Sequence, residues 1–155
     1  MIISCDQGAT KITGYFLWLG GCSYDFWTCE DKNWVKHVDD GKKLLEKYKP
    51  TLFIFEDNKQ LAGNDKGFAN YHYRDVLRAG GAMEYVCHSL NIKTYRIFNA
   101  NAWRTKKEAL AGGIPGLIKK REWYFKERKI TVHEKDAVIL LYIWFKRNKK
   151  TWPWI

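Results

Sequence analysis

Polar and apolar positions sort the first hundred residues into short blocks. "MIISCD", "ITGYFLWLGG" and "SYDFWTCED" are rich in β-branched and aromatic residues and are separated by Gly-bearing turns, which predicts a three-stranded antiparallel meander. From Asn33 to Lys49 the apolar residues Trp34, Val38, Leu45 and Tyr48 recur at helical spacing, and Pro50 marks the stop. "TLFIFED" then reads as a strand of the kind that fills sheet interiors, because its apolar run is nearly unbroken. The polar, glycine-bearing "NKQLAGNDKGFAN" leads to a helix from about Tyr71 to Leu90 and to a strand, "KTYRIF".

The order is therefore βββαβαβ. Beyond Ala100 the pattern predicts helices alone: "NAWRTKKEALAGG", then "GLIKKREWYFKERK" after Pro115, then a closing helix from Val132 to Asn148. A mixed sheet with helices on both faces is the economical packing, an α/β fold over residues 1–155 with no repeat and no linker composition.

Charge adds the first functional hint. There are 27 Lys and Arg against 17 Asp and Glu, a net charge of +10, which favours a polyanionic partner, nucleic acid above all. A merely soluble basic domain is the plainer alternative. No apolar run approaches the roughly 20 residues of a membrane span. "MIISCDQG" meets an acid before any apolar leader segment develops, so a cytoplasmic location and no membrane association are expected. Cys5, Cys22, Cys29 and Cys87 have no CxxC spacing and read as reduced packing residues; a zinc site from Cys22, Cys29 and His37 would follow no common ligand spacing.

Three acids stand apart from the lysine-rich surface runs. Asp6 ends "MIISC", Glu56 ends "TLFIF", and Asp136 heads "AVILLYIWF", so each carboxylate lies at the lip of a buried element where an unpaired charge is costly. A shared divalent cation would account for all three. Separate explanations also stand: an Asx turn for Asp6, the start of a loop for Glu56, and first-turn acids on a helix dipole for Asp136 or Glu134. His133 lies three residues before Asp136 and so shares its helix face, whereas Glu134 is about 100° round the helix and ranks low as a ligand.

These residues resemble the RuvC family of Holliday junction resolvases, within the RNase H and retroviral integrase superfamily. "DQGATKITGY", Asp6 through Tyr15, is similar to the family's opening aspartate, Gly turn and T-G-Y triplet, although the turn is one residue longer and Gln7 stands where proline is common. "FIFED" with Glu56 resembles the family's fourth-strand glutamate. "RAGGAMEYV" from Arg78 and "IKTYRIF" resemble the helix and strand that follow, and "HEKDAV" resembles the final motif, with His133 and Asp136.

The resemblance covers nearly the whole chain in order. It implies an RNase H-like five-stranded sheet in which the first and fourth strands adjoin and the last helix lays its first turn across them. It further implies a metal-dependent endodeoxyribonuclease that resolves four-way junctions in branched DNA by paired symmetric nicks, as a homodimer. Two Mg²⁺ ions, with Mn²⁺ as substitute, would be held by Asp6, Glu56 and Asp136: Asp6 bridging, Glu56 on the leaving-group side, Asp136 on the side that activates water. The expected ends are 5′-phosphate and 3′-hydroxyl.

His133 would orient or deprotonate the water or favour Mn²⁺, or else merely hydrogen-bond at the helix start. Arg104, Lys106, Lys107, Lys119, Lys120 and Arg121 are the expected DNA contacts, with Trp103, Trp123 and Tyr124 interleaved either as base-stacking platforms or as core. Where bacterial relatives carry an aromatic wedge this chain has Lys59, which leaves Phe68 or Tyr71 as the substitute. Ala79 to Ala82 would allow close approach of two copies. The small size and the Trp and Lys content point to a viral or phage enzyme. The same fold is also compatible with a nuclease for RNA:DNA hybrid or flap DNA, or with a non-catalytic nucleic-acid-binding domain, and the acids as helix caps alone with a basic protein-interaction module.

Overall fold

The computed structural model describes residues 1–8, 11–57, 71–98, 107–108 and 111–154, with the backbone alone for 71–73 and 98. Strands β1 (Ile2–Asp6), β2 (Ile12–Gly20) and β3 (Ser23–Glu30) form the meander that the β-branched and aromatic blocks predict. Helix α1 (Trp34–Tyr48) follows, then β4 (Leu52–Asp57), helix α2 (Tyr71–Ser89) and β5 (Lys93–Phe98). The sheet order is β3-β2-β1-β4-β5, so β1 lies antiparallel to β2 and parallel to β4 at the centre. All five residues of β1 are buried, because both faces of the sheet are covered.

Helix α1 begins where the Asn33 side chain accepts from the Val35 amide at 3.0 Å, and it ends as Lys49 turns left-handed at φ 45°. The closing helix, α3 (Val132–Arg147), matches the predicted span to within a residue. Side-chain alternation divides the core in two. Ile2, Phe16, Ile54 and Ile97 face α3, while Ile3, Tyr15, Leu17, Phe53 and Phe55 pack with Leu44, Leu45 and Met83 of α1 and α2.

The helical reading of the stretch after Pro115 is wrong. Residues 117–130 instead form a second sheet of three short strands, β6 (Leu117–Lys119), β7 (Trp123–Phe125) and β8 (Arg128–Ile130), in order β6-β7-β8. Leu117, Ile118, Trp123 and Tyr124 recur every six or seven residues, which imitates two helical turns, and strands of three residues are too short to express a period of two. Left-handed backbone at Gly116 (φ 85°) and Lys126 (φ 54°) breaks any helix there. The Lys126 amide donates to the Gly116 carbonyl, and burial then alternates, with Trp123 and Phe125 inward and Tyr124 half-exposed.

The small sheet shares its core with α3 and with the β2–β3 hairpin. Phe125 sits among Phe16, Tyr24 and Trp154, with ring centroids 4.9–5.1 Å away. The tail folds back over this cluster: Trp154 Nε1 donates to the Cys22 carbonyl at 3.1 Å and Trp152 Nε1 to the Pro115 carbonyl at 2.9 Å. Among the described residues no helix is long and apolar enough to cross a membrane.

Candidate active site

Residue parity places the acids. In β1, Ile2, Ser4 and Asp6 point toward α3, and the Ser4 hydroxyl donates to the Ala137 carbonyl at 2.7 Å, tying strand to helix. β4 runs parallel to β1 with Cys5 beside Phe55, so the next step along both strands sets Asp6 beside Glu56. Glu56 has the parity of Ile54 and faces α3 with Asp6, and one of its carboxylate oxygens is shielded from solvent. Two acids thus end adjacent strands on one face, at the carboxyl edge where open α/β sheets bind ligands.

The head of α3 closes over that edge. Gly14 of β2 pairs with Asp6, and a Cβ there would lie 2.4 Å from the His133 carbonyl carbon and 2.5 Å from the Glu134 nitrogen. Only glycine lets the helix backbone come so near. Thr131 caps the helix: its hydroxyl accepts from the Glu134 amide at 3.1 Å, and the Glu134 carboxylate accepts from the Thr131 amide at 2.7 Å. Glu134, buried in this cap and 4.0 Å from Arg128, is structural, in keeping with its place off the His133 face.

His133 Nδ1 lies 2.7 Å from Asp6 Oδ2. That bond raises the imidazole pKa above its ordinary value; burial opposes the rise, and the negative charges of Asp6 and Asp136 add to it. Asp136 is buried on the same helix face, and its Oδ1 lies 2.9 Å from Lys135 Nζ. Lys135 escaped the sequence reading because neighbours along a helix point different ways, yet its ammonium reaches Asp136 while lying 5.2 Å from the Trp123 ring.

Asp57 points the opposite way, 3.6 Å from Arg96 Nη1, and Arg96 also pairs with Glu84 of α2, so the end of β4 is braced from behind.

The donors are all carboxylate oxygens, which suit a hard divalent ion, and Asp6 and Asp136 each draw a nitrogen that bears or gains positive charge. Among the described residues, no three His, Cys, Asp or Glu side chains are gathered closely enough to hold a metal. The chemistry of the set fits such an ion, and its positions on the strands and helix converge without closing. Cys22, Cys29 and His37 do not form the zinc site considered above: Cys22 is exposed at the β2–β3 turn, Cys29 is buried in β3, and both ring nitrogens of His37 are engaged elsewhere.

Of the expected DNA contacts, Lys107, Lys119, Lys120 and Arg121 are exposed. Lys119, Lys120 and Arg121 gather where β6 turns into β7, with Lys120 Nζ 5.5 Å from the Tyr124 ring. Arg104, Lys106 and Phe68, together with Trp103, Lys59 and the Tyr71 side chain, lie outside the described residues. Trp123 belongs to the core and is not available for stacking. Ala79, expected at a dimer contact, is buried within its own chain.

A mixed sheet of this order with helices on both faces is an RNase H-like fold of the RuvC kind. Of the solved structures that share it, Thermus thermophilus RuvC in complex with a Holliday junction substrate superposes with a TM-score of 0.61 at 12% identity, over 95% of this chain and 94% of that one. Thermus thermophilus RuvC superposes with a TM-score of 0.57 at 15% identity, over 96% of each chain. The fold is thus RuvC-like. No family model and no curated protein matches the sequence.

Proposed function

We propose that the chain is a single metal-dependent, structure-selective endodeoxyribonuclease domain that resolves four-way DNA junctions by paired symmetric nicks. The observation that carries this reading is the contact between Asp6, at the end of the central strand, and His133, at the head of the closing helix, with Glu56 alongside on β4. The likeness to RuvC bound to a Holliday junction supports the choice of substrate.

Asp6, Glu56 and Asp136 are the residues that would hold the metal ions, Mg²⁺ or Mn²⁺. When bound, such an ion would neutralise phosphate charge and supply an activated water. The chain's own part is placement. The Thr131–Glu134 cap fixes the first turn of α3, and Gly14 admits that turn to the sheet. Ser4 holds Ala137, and with it the register of Asp136. His133 holds the Asp6 carboxylate in one pose through Nδ1, and its other ring nitrogen would accept a proton from an attacking water. Lys119, Lys120 and Arg121 would draw backbone phosphates toward this edge. Two coordinated nicks call for a second copy of the chain.

The test is cleavage of a labelled synthetic four-way junction with Mg²⁺ or Mn²⁺, beside linear duplex and RNA:DNA hybrid, for the wild type and Asp136→Asn. Symmetric, ligatable nicks on the junction, lost in the variant while binding persists, are expected. Cutting of the hybrid in preference would overturn the substrate, and no metal-dependent cutting at all would overturn the enzyme.

A further inference from the structure

Behind the sheet, on the face away from α3, lies a buried histidine to which the proposed reaction gives no role. His37 of α1 is 2% exposed. Its Nε2 lies 2.9 Å from the Asp31 carbonyl, which can only accept, so the neutral ring carries its proton on Nε2 and leaves Nδ1 as an acceptor. Thr13 Oγ1, fully buried, donates to that Nδ1 at 2.8 Å. The same hydroxyl accepts from the Gly8 amide at 3.2 Å. The chain of bonds therefore runs Gly8, Thr13, His37, Asp31, and its free end is two residues past Asp6.

Other contacts show that the place is built and not incidental. The Tyr15 hydroxyl donates to the His37 carbonyl at 3.2 Å, so the first and third residues of the T-G-Y triplet both grip His37 while the glycine between them faces α3. A Cβ on Gly8 would lie 1.6 Å from the Ile12 carbonyl oxygen, so the chain leaving Asp6 is pressed against the start of β2. Asp6 is consequently held from two sides, by His133 in front and by this bonded chain behind.

We propose that His37 is a positioning residue for the nuclease reaction: acting through Thr13 and the Gly8 amide, it fixes the backbone that leaves Asp6 and so the pose of the Asp6 carboxylate toward a divalent ion. The proposal rests on the reading of Asp6 as a metal ligand. Groups that orient a ligand from behind typically alter metal affinity by about 10–100-fold when removed, and a carboxylate must be placed to within about 0.5 Å to serve. Thr13→Val keeps the shape of the side chain and deletes the hydroxyl, leaving the Gly8 amide and His37 Nδ1 without their partner.

The experiment measures junction cleavage against Mg²⁺ concentration for the wild type, Thr13→Val, Thr13→Ser, His37→Leu, His37→Asn and Asp6→Asn, with thermal midpoints and junction binding in the absence of Mg²⁺ recorded for each. Thr13→Val and His37→Leu should raise the half-maximal Mg²⁺ concentration about tenfold or more and recover most of their rate at saturating Mg²⁺. Metal-free binding should not change. Thr13→Ser should behave as wild type, and His37→Asn, whose amide oxygen can take the Thr13 proton, should fall between the wild type and His37→Leu.

If Thr13→Val does not fold, the two His37 variants read the same quantity. An unchanged Mg²⁺ dependence in the folded variants, or a rate lowered equally at every Mg²⁺ concentration, would overturn the positioning role while Asp6→Asn remained inactive. An Asp6→Asn enzyme that cut like the wild type would instead overturn the metal reading on which the proposal stands.

Discussion

The five-stranded sheet and the three-stranded sheet share one aromatic core yet carry opposite chemistry. In the large sheet the strands run up to nine residues, central β1 is covered on both faces, and β1 and β4 carry acids at their carboxyl ends whose directions are set by parity and register. In the small sheet each strand is three residues long, the inner residues alone are buried, and the outer surface carries Lys119, Lys120, Arg121 and Lys129. A carboxylate that must meet an ion needs the rigid frame. A lysine that must meet a phosphate works over a range of distances, so a short exposed ribbon is sufficient.

If that division holds, replacing an acid of the large sheet should abolish chemistry and spare binding. Asp6→Asn is expected to lower junction cleavage by about 10³-fold or more. Junction affinity measured without metal should stay within about threefold, since no group that neutralises a phosphate is removed.

The shared core is the next point of attack. Phe125→Ala removes the ring between the two sheets and should cost about 3–5 kcal/mol, read by denaturant unfolding, with signals from both sheets lost in one transition. Two separate transitions would show that the sheets do not depend on each other. Gly14→Ala drives a methyl into the backbone at His133 and should cost about 1–3 kcal/mol, with cleavage falling further than stability because the helix head is displaced from Asp6.

On the small sheet the effects should be weaker and of another kind. Lys119→Ala, Lys120→Ala and Arg121→Ala together should reduce the salt dependence of junction binding, by up to about 0.9 in log–log slope for each phosphate that is no longer neutralised, with the rate at saturating DNA nearly unchanged. A drop in that saturated rate would place these residues in the chemistry. Ile118→Ala, on the exposed face of β6, should change stability by no more than about 0.5 kcal/mol.

Legibility follows the same division. Strands β1 to β5 were readable from β-branched, aromatic or unbroken apolar runs bounded by turns, helices α1 to α3 from apolar runs and spacing long enough for a helix, and Asp6, Glu56 and Asp136 stood out as acids abutting apolar runs. Residues 117–130 misled for the opposite reason: apolar positions six or seven apart, with strong helix formers between them, satisfy a helical template better than three short strands do. The sequence also showed the T-G-Y triplet without its meaning. That Gly14 receives α3 while Thr13 and Tyr15 hold His37 depends on which elements flank β2, and nothing local to residues 13–15 encodes it.

By itself the sequence determined the order and type of the main elements, the excess of positive charge, and the three acids that close or open buried segments, because periodicity, charge and the cost of burying a carboxylate are local properties. That β1 lies beside β4 was implied by the family resemblance of the motifs, whereas tertiary structure alone decided that the Asp6 oxygen meets His133 across 127 residues of chain, that Lys135 turns to Asp136, and that His37 stands behind the strand as an anchor instead of a metal ligand. Those are consequences of strand register and helix docking, which arise from packing the whole chain at once.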